Sequence, residues 1–280
     1  MERTAVTKRT EKPVIAASTY LNSAPLCYSF LRGSLREAVL FLPHAAPSTC
    51  SELLRDGQVD AALIPVIEYQ RVEGVAIVPG IAVVSRSEVQ SVFLASREPL
   101  QRVRRVALDI SSRTGAALTR IFFEHFFGRR VDYIPWPPDV DAMLSVADAA
   151  LLIGDPALQV RYHRRDLRFY DYARLWRECT GMPLVFAFWA VREDRWKLGT
   201  RVDFQQAKEE GLRSRDRIVA QYAETLRLPP EFLWRYLEES VTYDLDEESV
   251  SGLALFYDLA HRVGVVSDVR PLRLLSVQGE

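Results

Sequence analysis

Short apolar, β-branched runs alternate with amphipathic segments through the first two thirds of the chain, and this alternation restricts the fold more than any other feature. The runs VIAAS (14–18), DAALI (60–64) and VAIVP (75–79) have the length and composition of buried strands. The segments between them have the periodicity of helices. This order predicts an α/β protein with mixed, mostly parallel sheets flanked by helices.

Two long extended segments, 91–96 and 184–191, bracket a central block that has its own alternating strands and helices. The simplest topology inserts this block into the surrounding domain, so that the chain crosses between two lobes twice. We therefore expect a discontinuous lobe one and an inserted lobe two, with a ligand cleft between them. The predicted bounds are 1–96 plus 188–280 for lobe one and 97–187 for lobe two.

The last third of the chain, from Phe204 to Gly264, has helical periodicity throughout. Its polar, solvent-facing positions and its apolar positions recur with the period of an amphipathic helix. We expect a helical C-terminal tail that belongs to lobe one.

Composition and charge argue against several classes of function. The chain has 280 residues, a formal net charge of −1 and no general attraction for nucleic acid. It has no apolar run of about 18 residues that would span a membrane, and its first twelve residues lack the apolar core of a secretory signal. We expect a cytoplasmic protein, and the choice between monomer and homodimer stays open.

The cysteines and histidines do not predict a metal centre. Three cysteines lack CxxC spacing, and the four histidines are scattered without an HxH or HxxxH pair. We interpret the cysteines as buried, reduced thiols. The chain also lacks GxSxG, Walker and GxGxxG motifs, so neither a serine nucleophile nor a nucleotide cofactor is predicted.

The first predicted strand is followed by YLNSAPL (20–26), which places polar side chains where the strand meets a helix. Ser23 and Pro25 explain the helix start by themselves, because serine is a common N-cap and proline a common first-turn residue. Asn22 is then free to face a ligand, together with Tyr20. On the residues alone, the alternative that Asn22 only caps the helix stays open.

The segment ALDISSRTGAALTRIFFEHFF (107–127) predicts an anion site. A strand ends at Asp109, and the hydroxyl groups of Ser111, Ser112 and Thr114 precede a strongly apolar helix. Free N–H groups at the helix start, the helix dipole and these hydroxyls suit a carboxylate or phosphate. Arg113 is a candidate for a second charged contact. Plain N-capping by Ser112 or Thr114 is the alternative.

Four more positions lie where the predicted topology places strand ends and crossings. Gly154 and Asp155 follow a buried strand, and either the Gly154 N–H or the Asp155 carboxylate is a candidate ligand contact. The alternative is that Asp155 only caps the next helix. Ser91 stands at the first crossing and Thr180 at the second. We assign the aromatic residues that follow Thr180 to the core.

Six motifs occur in one order: YLNSAPL, LRDGQVDAALIPVIEY, SEVQSV, LDISSRTGAAL, ADAALLIGDPAL and WRECTGMPLVFAFW. Over about 14–192 this set resembles the chorismate dehydratase family of the futalosine route to menaquinone. The resemblance implies a two-lobed periplasmic-binding-protein-like fold of the second type. It also implies a lyase that converts chorismate, a small dicarboxylate, to 3-[(1-carboxyvinyl)oxy]benzoate without a metal or organic cofactor.

The resemblance further implies roles for individual residues. The family's cleft asparagine falls on Asn22, and its ligand-facing hydroxyls fall on Ser91, Ser112 and Thr114. One departure is Gly115, which stands where the family often has serine. We predict that Asn22 orients the enolpyruvyl carboxylate near C3, so that the substrate supplies its own base. Asp155 is the alternative general base.

Two other functions compete with this prediction. The related 1,4-dihydroxy-6-naphthoate synthase has this kind of fold, but it relies on a histidine and has a different loop in place of YLNSAPL. The rival from another class is a non-catalytic binding protein for a small carboxylate, because folds of this kind host many functions. A transport receptor would need an export signal, and a regulator would need a DNA-binding module before Val14; we expect neither.

Overall fold

The computed structural model describes residues 12–195 and 202–275, and these residues form two five-stranded sheets with helices packed on them. The expectation drawn from the first twelve residues falls almost entirely on 1–11, outside the described residues. The strands are β1 (Val14–Ser18), β2 (Leu40–His44), β3 (Ala61–Pro65), β4 (Val75–Ser85), β5 (Val92–Ser96), β6 (Arg105–Asp109), β7 (Asp132–Trp136), β8 (Ala149–Ile153), β9 (Arg168–Asp171) and β10 (Leu184–Arg192).

The helices follow the amphipathic segments of the sequence, and two of them continue as π-helical turns. These turns are Ile121–Phe126, directly after the helix Arg113–Arg120, and Tyr236–Ser240, directly after the helix Pro230–Arg235. The α-helices are α1 (Ala24–Arg32), α2 (Pro47–Arg55), α3 (Arg113–Arg120), α4 (Val140–Val146), α5 (Gly154–His163), α6 (Tyr172–Thr180), α7 (Phe204–Arg213), α8 (Arg215–Leu226), α9 (Pro230–Arg235) and α10 (Glu247–Arg262). Short 3₁₀ turns are Val66–Gln70, Leu100–Arg102 and Glu193–Arg195.

The two sheets have the same arrangement. The first has the order β2-β1-β3-β10-β4 and the second the order β7-β6-β8-β5-β9. In each sheet the first three strands are parallel, the fourth runs against them, and the fifth returns to the common direction. The predicted α/β class and the mixed, mostly parallel sheets are confirmed.

The crossings between the sheets lie closer to the strand ends than the predicted lobe bounds. Strand β5 pairs with β8 and β9 in the second sheet, although the prediction gives residues up to 96 to lobe one. Strand β10 pairs from Leu184 onward in the first sheet, although the prediction gives residues up to 187 to lobe two. The cause is that an apolar run does not reveal which sheet its strand joins, since both sheets are buried.

The C-terminal tail is helical except where it pairs with the first sheet. Between α9 and α10, Thr242 bridges to Val84 of β4 in an extended conformation. The tail also contacts the second lobe, since the Gln159 side chain of α5 donates a hydrogen bond to the Leu226 carbonyl at 3.0 Å. The tail therefore braces both lobes.

The prediction of three buried thiols is wrong at one position. Cys27 and Cys50 are buried in the core, but Cys179 is exposed because it lies on the outer side of α6. Within the described ranges, no helix is long and apolar enough to cross a membrane.

Candidate active site

A cavity lies between the two sheets, where strand ends and helix starts from both lobes meet. Its walls enclose about 560 Å³ of space, including the part open to solvent. Seven of the ten residues selected from the sequence line it: Tyr20, Asn22, Ser111, Ser112, Arg113, Thr114 and Gly154. The other three, Ser91, Asp155 and Thr180, do not.

The Asn22 side chain is free, while its backbone is fixed. The Asn22 carbonyl accepts a hydrogen bond from the Tyr243 hydroxyl at 2.9 Å. The preceding N–H, of Leu21, donates to Asp155 Oδ1 at 2.8 Å. Across the described part of the chain, the Asn22 carboxamide has no hydrogen-bond partner, so both its donor and its acceptor remain for a ligand.

Ser23 occupies the N-cap position of α1, but its hydroxyl does not cap the helix. It donates instead to the carbonyls of Ser18, at 2.8 Å, and Tyr20, at 2.9 Å. These bonds tighten the turn between β1 and α1. The turn in this way holds Asn22 at the end of β1 without using the Asn22 side chain.

The Tyr20 ring lies directly over Gly154. A Cβ at position 154 would be 2.4 Å from Tyr20 Cδ2, and the backbone there has a φ of +64°. Both observations require glycine at this position. The Gly154 N–H donates to the Ser91 carbonyl at 2.8 Å, so this atom is not available for the ligand contact that we predicted for it. Burial raises the pKa of Tyr20, which keeps its phenol protonated.

The second wall of the cavity is the start of α3, and its hydroxyl groups differ in availability. Ser111 donates both its hydroxyl, at 2.6 Å, and its N–H, at 2.9 Å, to Asp109 Oδ1. Thr114 makes only a long hydrogen bond of 3.5 Å to the Phe186 carbonyl. Ser112 is the N-cap residue, yet its hydroxyl makes no cap hydrogen bond. Ser112 therefore offers the free hydroxyl of this wall, next to the unpaired N–H groups that begin a helix.

Gly115 gives the Ser112 hydroxyl its space. A Cβ at position 115 would lie 2.3 Å from Ser112 Oγ and 3.1 Å from Leu151 Cδ2. A serine at 115, as the resemblance leads one to expect, would require Ser112 to move. With glycine at 115, the wall has one hydroxyl fewer than the resemblance leads one to expect, and the Ser112 hydroxyl keeps its place.

Asp109 supports the second wall from behind. Its side chain is 2% exposed, and burial raises its pKa. Its Oδ2 atom is buried and has no partner among the described residues. The hydrogen bonds from Ser111 act against this effect of burial by favouring the charged carboxylate.

Arg113 contributes a guanidinium group to the cavity wall. It pairs with Glu52 of α2 at 3.3 Å, and both side chains are nearly half exposed. An exposed pair of this kind is worth about 0–1 kcal/mol, so a ligand carboxylate can compete with Glu52 for Arg113. The pair also links the two lobes at the rim of the cleft.

Ser91 and Thr180 lie apart from the cavity. The Ser91 hydroxyl shares a hydrogen bond of 2.8 Å with the Tyr236 hydroxyl, and Ser91 is fully buried. The Thr180 hydroxyl donates to the Trp176 carbonyl at 2.7 Å and accepts from the Met182 N–H at 3.1 Å. Both hydroxyls are thus used inside one lobe or its junction with the tail, and neither belongs to the site that we propose below.

Asp155 faces a second cavity, behind the loop between β1 and α1. That cavity is bordered by residues of α1 and α8, among them Cys27 and Tyr222. Burial raises the pKa of Asp155 to about 7, and the hydrogen bond from Leu21 acts in the opposite direction. A carboxyl with this pKa suits proton transfer, but Asp155 is not among the residues that line the first cavity.

Sequence reasoning missed the contribution of β10. Phe186, which we assigned to the core, lines the cavity together with Ala187. The neighbouring aromatic residues Phe188 and Trp189 are fully buried as predicted. The signal available in the sequence was the crossing itself, because a strand that enters from another lobe begins at the cleft.

The side chains that line this cavity are poor in titratable groups. Among the described residues that line it, none is a carboxylate, an imidazole, an amine or a thiol; Tyr20 and Arg113 are the ionisable ones. In the same part of the chain, no group of three or more histidine, cysteine and acidic side chains is arranged to hold a metal ion. The site can therefore bind and orient a ligand through neutral hydrogen bonds, helix starts and one guanidinium.

Comparison with known proteins shows the family to which this chain belongs. Residues 13–262 match the family model for menaquinone biosynthesis. The chain belongs to this menaquinone biosynthesis family. A curated relative, the chorismate dehydratase of Thermus thermophilus, is 30% identical over 260 residues, which cover 87% of this chain and 93% of the relative.

Solved structures of lower sequence identity share the fold of this chain. A protein from Archaeoglobus fulgidus has a TM-score of 0.74 at 17% identity and covers 92% of this chain and 100% of its own. A Candida albicans protein described as having the generic periplasmic binding protein fold has a TM-score of 0.67 at 12% identity, with coverages of 97% and 99%. These likenesses show the fold alone, and they confirm the predicted periplasmic-binding-protein-like architecture.

Proposed function

We propose that this protein is a hydro-lyase that dehydrates chorismate to 3-[(1-carboxyvinyl)oxy]benzoate in the futalosine route to menaquinone. Membership of the menaquinone biosynthesis family and the chorismate dehydratase relative support this activity. The observation that carries it is the cavity: a free carboxamide and a free hydroxyl both line a space whose described lining has no carboxylate or imidazole. Such a site suits a substrate that brings its own base.

Chorismate has the chemistry that such a site requires. The C1 carboxylate activates the C3 hydrogen through the ring alkene, and loss of that hydrogen with the C4 hydroxyl makes the ring aromatic. The C3 hydrogen and the C4 hydroxyl lie on the same face, since the two oxygen substituents are trans. One base can remove the C3 proton and pass it to the departing hydroxyl, so that the products are the aromatic ether and one water.

In this mechanism the enolpyruvyl carboxylate of the substrate is the base, and the protein orients it. The Asn22 carboxamide hydrogen-bonds the enolpyruvyl group near C3. The start of α3, with the Ser112 hydroxyl and Arg113, binds a carboxylate through N–H donors and positive charge. Holding the reacting groups together in this way accounts for a large part of the rate in intramolecular reactions.

The direct test is turnover by the purified protein. We expect incubation with chorismate and a chelator to yield the aromatic product, followed by absorbance and identified by mass. Conversion of the substrate of 1,4-dihydroxy-6-naphthoate synthase instead would assign the protein to that neighbouring step. Tight binding of chorismate without any product would favour a carboxylate-binding protein over an enzyme.

The place of action that we propose is the cytoplasm, because chorismate is an intermediate of intracellular biosynthesis. Fractionation of cells that produce the protein at natural levels tests this, with a known periplasmic protein as the control. Recovery of the protein with the periplasmic control would contradict it.

A further inference from the structure

Asp155 connects the two lobes immediately beside Asn22. It lies at the start of α5 in the second lobe, and its Oδ1 accepts the N–H of Leu21 from the first lobe at 2.8 Å. Leu21 is fully buried and directly precedes Asn22. Because the peptide unit between these two residues is planar, fixing the Leu21 backbone restricts the position from which the Asn22 side chain leaves the chain.

The location of Asp155 separates positioning from proton transfer. Asp155 borders the cavity between α1 and α8, whereas Asn22 lines the other cavity. A general base must lie within hydrogen-bond distance of the proton that it removes, directly or through one water. The Asp155 carboxylate binds the backbone of the loop and is not among the residues that line the ligand cavity.

Two more contacts hold the same loop. The Tyr20 ring lies over Gly154, the residue before Asp155, so the second lobe contacts two consecutive residues of the loop. The Tyr243 hydroxyl holds the Asn22 carbonyl from the tail. The backbone on both sides of Asn22 is thus held by the second lobe and by the C-terminal tail, and the carboxamide remains free.

We propose that Asp155 is a positioning residue that aligns Asn22 by binding the Leu21 N–H, so that Asn22 is in place only while the two lobes are together. This inference rests on the proposed function and extends it, since it explains how lobe closure completes the site. Separation of the lobes would remove the Asp155 and Gly154 contacts from the loop in one movement. Substrate that draws the lobes together would then also place the group that orients it.

Two substitutions at Asp155 distinguish a hydrogen-bond acceptor from a base. Asp155→Asn keeps an acceptor oxygen of the same reach, and we expect its kcat to stay within about threefold of wild type. Asp155→Ala removes the acceptor, and we expect kcat to fall about 30-fold with a smaller change in KM. The matched control is Gln159→Ala, on the same helix, which removes another contact between α5 and the rest of the protein. If Asp155→Asn loses as much activity as Asp155→Ala, Asp155 acts as a base and the inference is wrong.

A double-mutant cycle tests whether Asp155 acts through Asn22. We expect Asp155→Ala to cost about 30-fold in the wild-type background and less than threefold in the Asn22→Ala background. Multiplying effects would show that Asp155 acts independently of Asn22 and would overturn the inference. Should the alanine variant fail to fold, Asp155→Ser, which is too short to reach Leu21, replaces it in the cycle.

Hydrogen exchange provides a readout that does not depend on the reaction. We expect the amides of residues 20–22 to exchange at least tenfold faster in Asp155→Ala than in wild type, Asp155→Asn or Gln159→Ala. Unchanged exchange in the alanine variant would contradict the inference even if chorismate is turned over. Absence of turnover in the wild-type protein, with the expected exchange pattern, would instead strike the proposed function.

Discussion

The two walls of the cleft are built in different ways. The hydroxyl groups that the second lobe contributes come from one continuous segment, in which Ser111 is held by Asp109 only two residues away and Ser112 is the N-cap of α3. The wall of the first lobe centres on Asn22, whose flanking backbone is held by Asp155 and Tyr243, 134 and 221 positions away along the chain from their partners.

This difference separates a local site from an assembled one. At the start of α3, Ser111 is held within the second lobe by Asp109, while Arg113 and Thr114 also contact Glu52 and Phe186 across the cleft. The Asn22 loop reaches its geometry only when the second lobe and the C-terminal tail are both packed against it. We therefore expect substitutions at the Asn22 wall to affect the chemical step and those at the α3 wall to affect binding.

The largest effect is expected from Asn22→Ala. The substitution keeps the carbonyl that Tyr243 binds but removes the carboxamide, so the fold should hold while kcat falls about 10²-fold or more. Steady-state kinetics with chorismate measure this, and a thermal melt checks the fold. Tyr243→Phe, which leaves the carboxamide in place, should cost less. An Asn22→Ala protein with wild-type kcat would remove the distinction between the two walls.

Gly154→Ala tests the contact between the lobes. The positive φ alone costs about 1–3 kcal/mol of folding free energy for a residue with a Cβ, and the Tyr20 ring adds a clash. Gly128→Ala is the matched control, because Gly128 has a φ of +61° and nothing within 4 Å of its added Cβ. We expect similar backbone strain in both variants. Only Gly154→Ala should also lose about tenfold or more in kcat/KM, because only there does the added Cβ meet the Tyr20 ring. Equal activity in the two variants would show that the Tyr20 contact does not matter.

Ser112→Ala and Ser111→Ala test the second wall against itself. Ser112 has a free hydroxyl, so its loss should raise KM about tenfold, with kcat and the melting temperature nearly unchanged. Ser111 supports the buried Asp109, so its loss should lower the free energy of unfolding by about 1–3 kcal/mol. Urea unfolding and kinetics on both variants separate the two roles. A fall in kcat without a change in KM for Ser112→Ala would place that hydroxyl in the chemical step.

The last prediction concerns how the free energy of unfolding depends on pH. The pKa of Asp155 is raised to about 7 in the folded protein, above the ordinary value of about 3.9 that it regains on unfolding. Between these values the folded state holds a proton that the unfolded chain has lost, so this group's contribution to stability is full below pH 4. It is lost as pH rises to 7, by at most about 1.4 kcal/mol per pH unit.

Asp155→Asn should therefore gain stability relative to wild type as pH rises from 5 to 7, and the difference should level off above that. Urea unfolding at several pH values measures it. Asp166→Asn is the control, because Arg164 lowers the pKa of Asp166 to about 2 and no change is expected in this range. A flat difference for Asp155→Asn would show that Asp155 titrates at its ordinary pKa.

Sequence reasoning found the second wall more completely than the first. A strand, three hydroxyls and an apolar helix are neighbours in sequence, so their proximity in space follows from local geometry. It did not identify which hydroxyls are free. The Ser91 hydroxyl pairs with Tyr236 from a distant segment, and the Ser111 hydroxyl pairs with Asp109, two residues away, because the buried Asp109 carboxylate takes it up. The sequence offered Asp155 as a ligand contact, an alternative base or a helix cap, but its hydrogen bond to Leu21 depends on how α5 meets the loop of the other lobe.

The sequence by itself determined the α/β class, the repeated strand and helix pattern and the loop that presents Asn22, because periodicity, caps and turns act over a few residues. The family motifs added the expected chemistry. Only the tertiary structure decided the membership of β5 and β10 in their sheets, the shared strand order and the contacts of Asp155, Tyr243 and Phe186. The contacts of Asp155 and Tyr243 join residues more than a hundred positions apart, and burial and shape, not local propensity, select which distant partners meet.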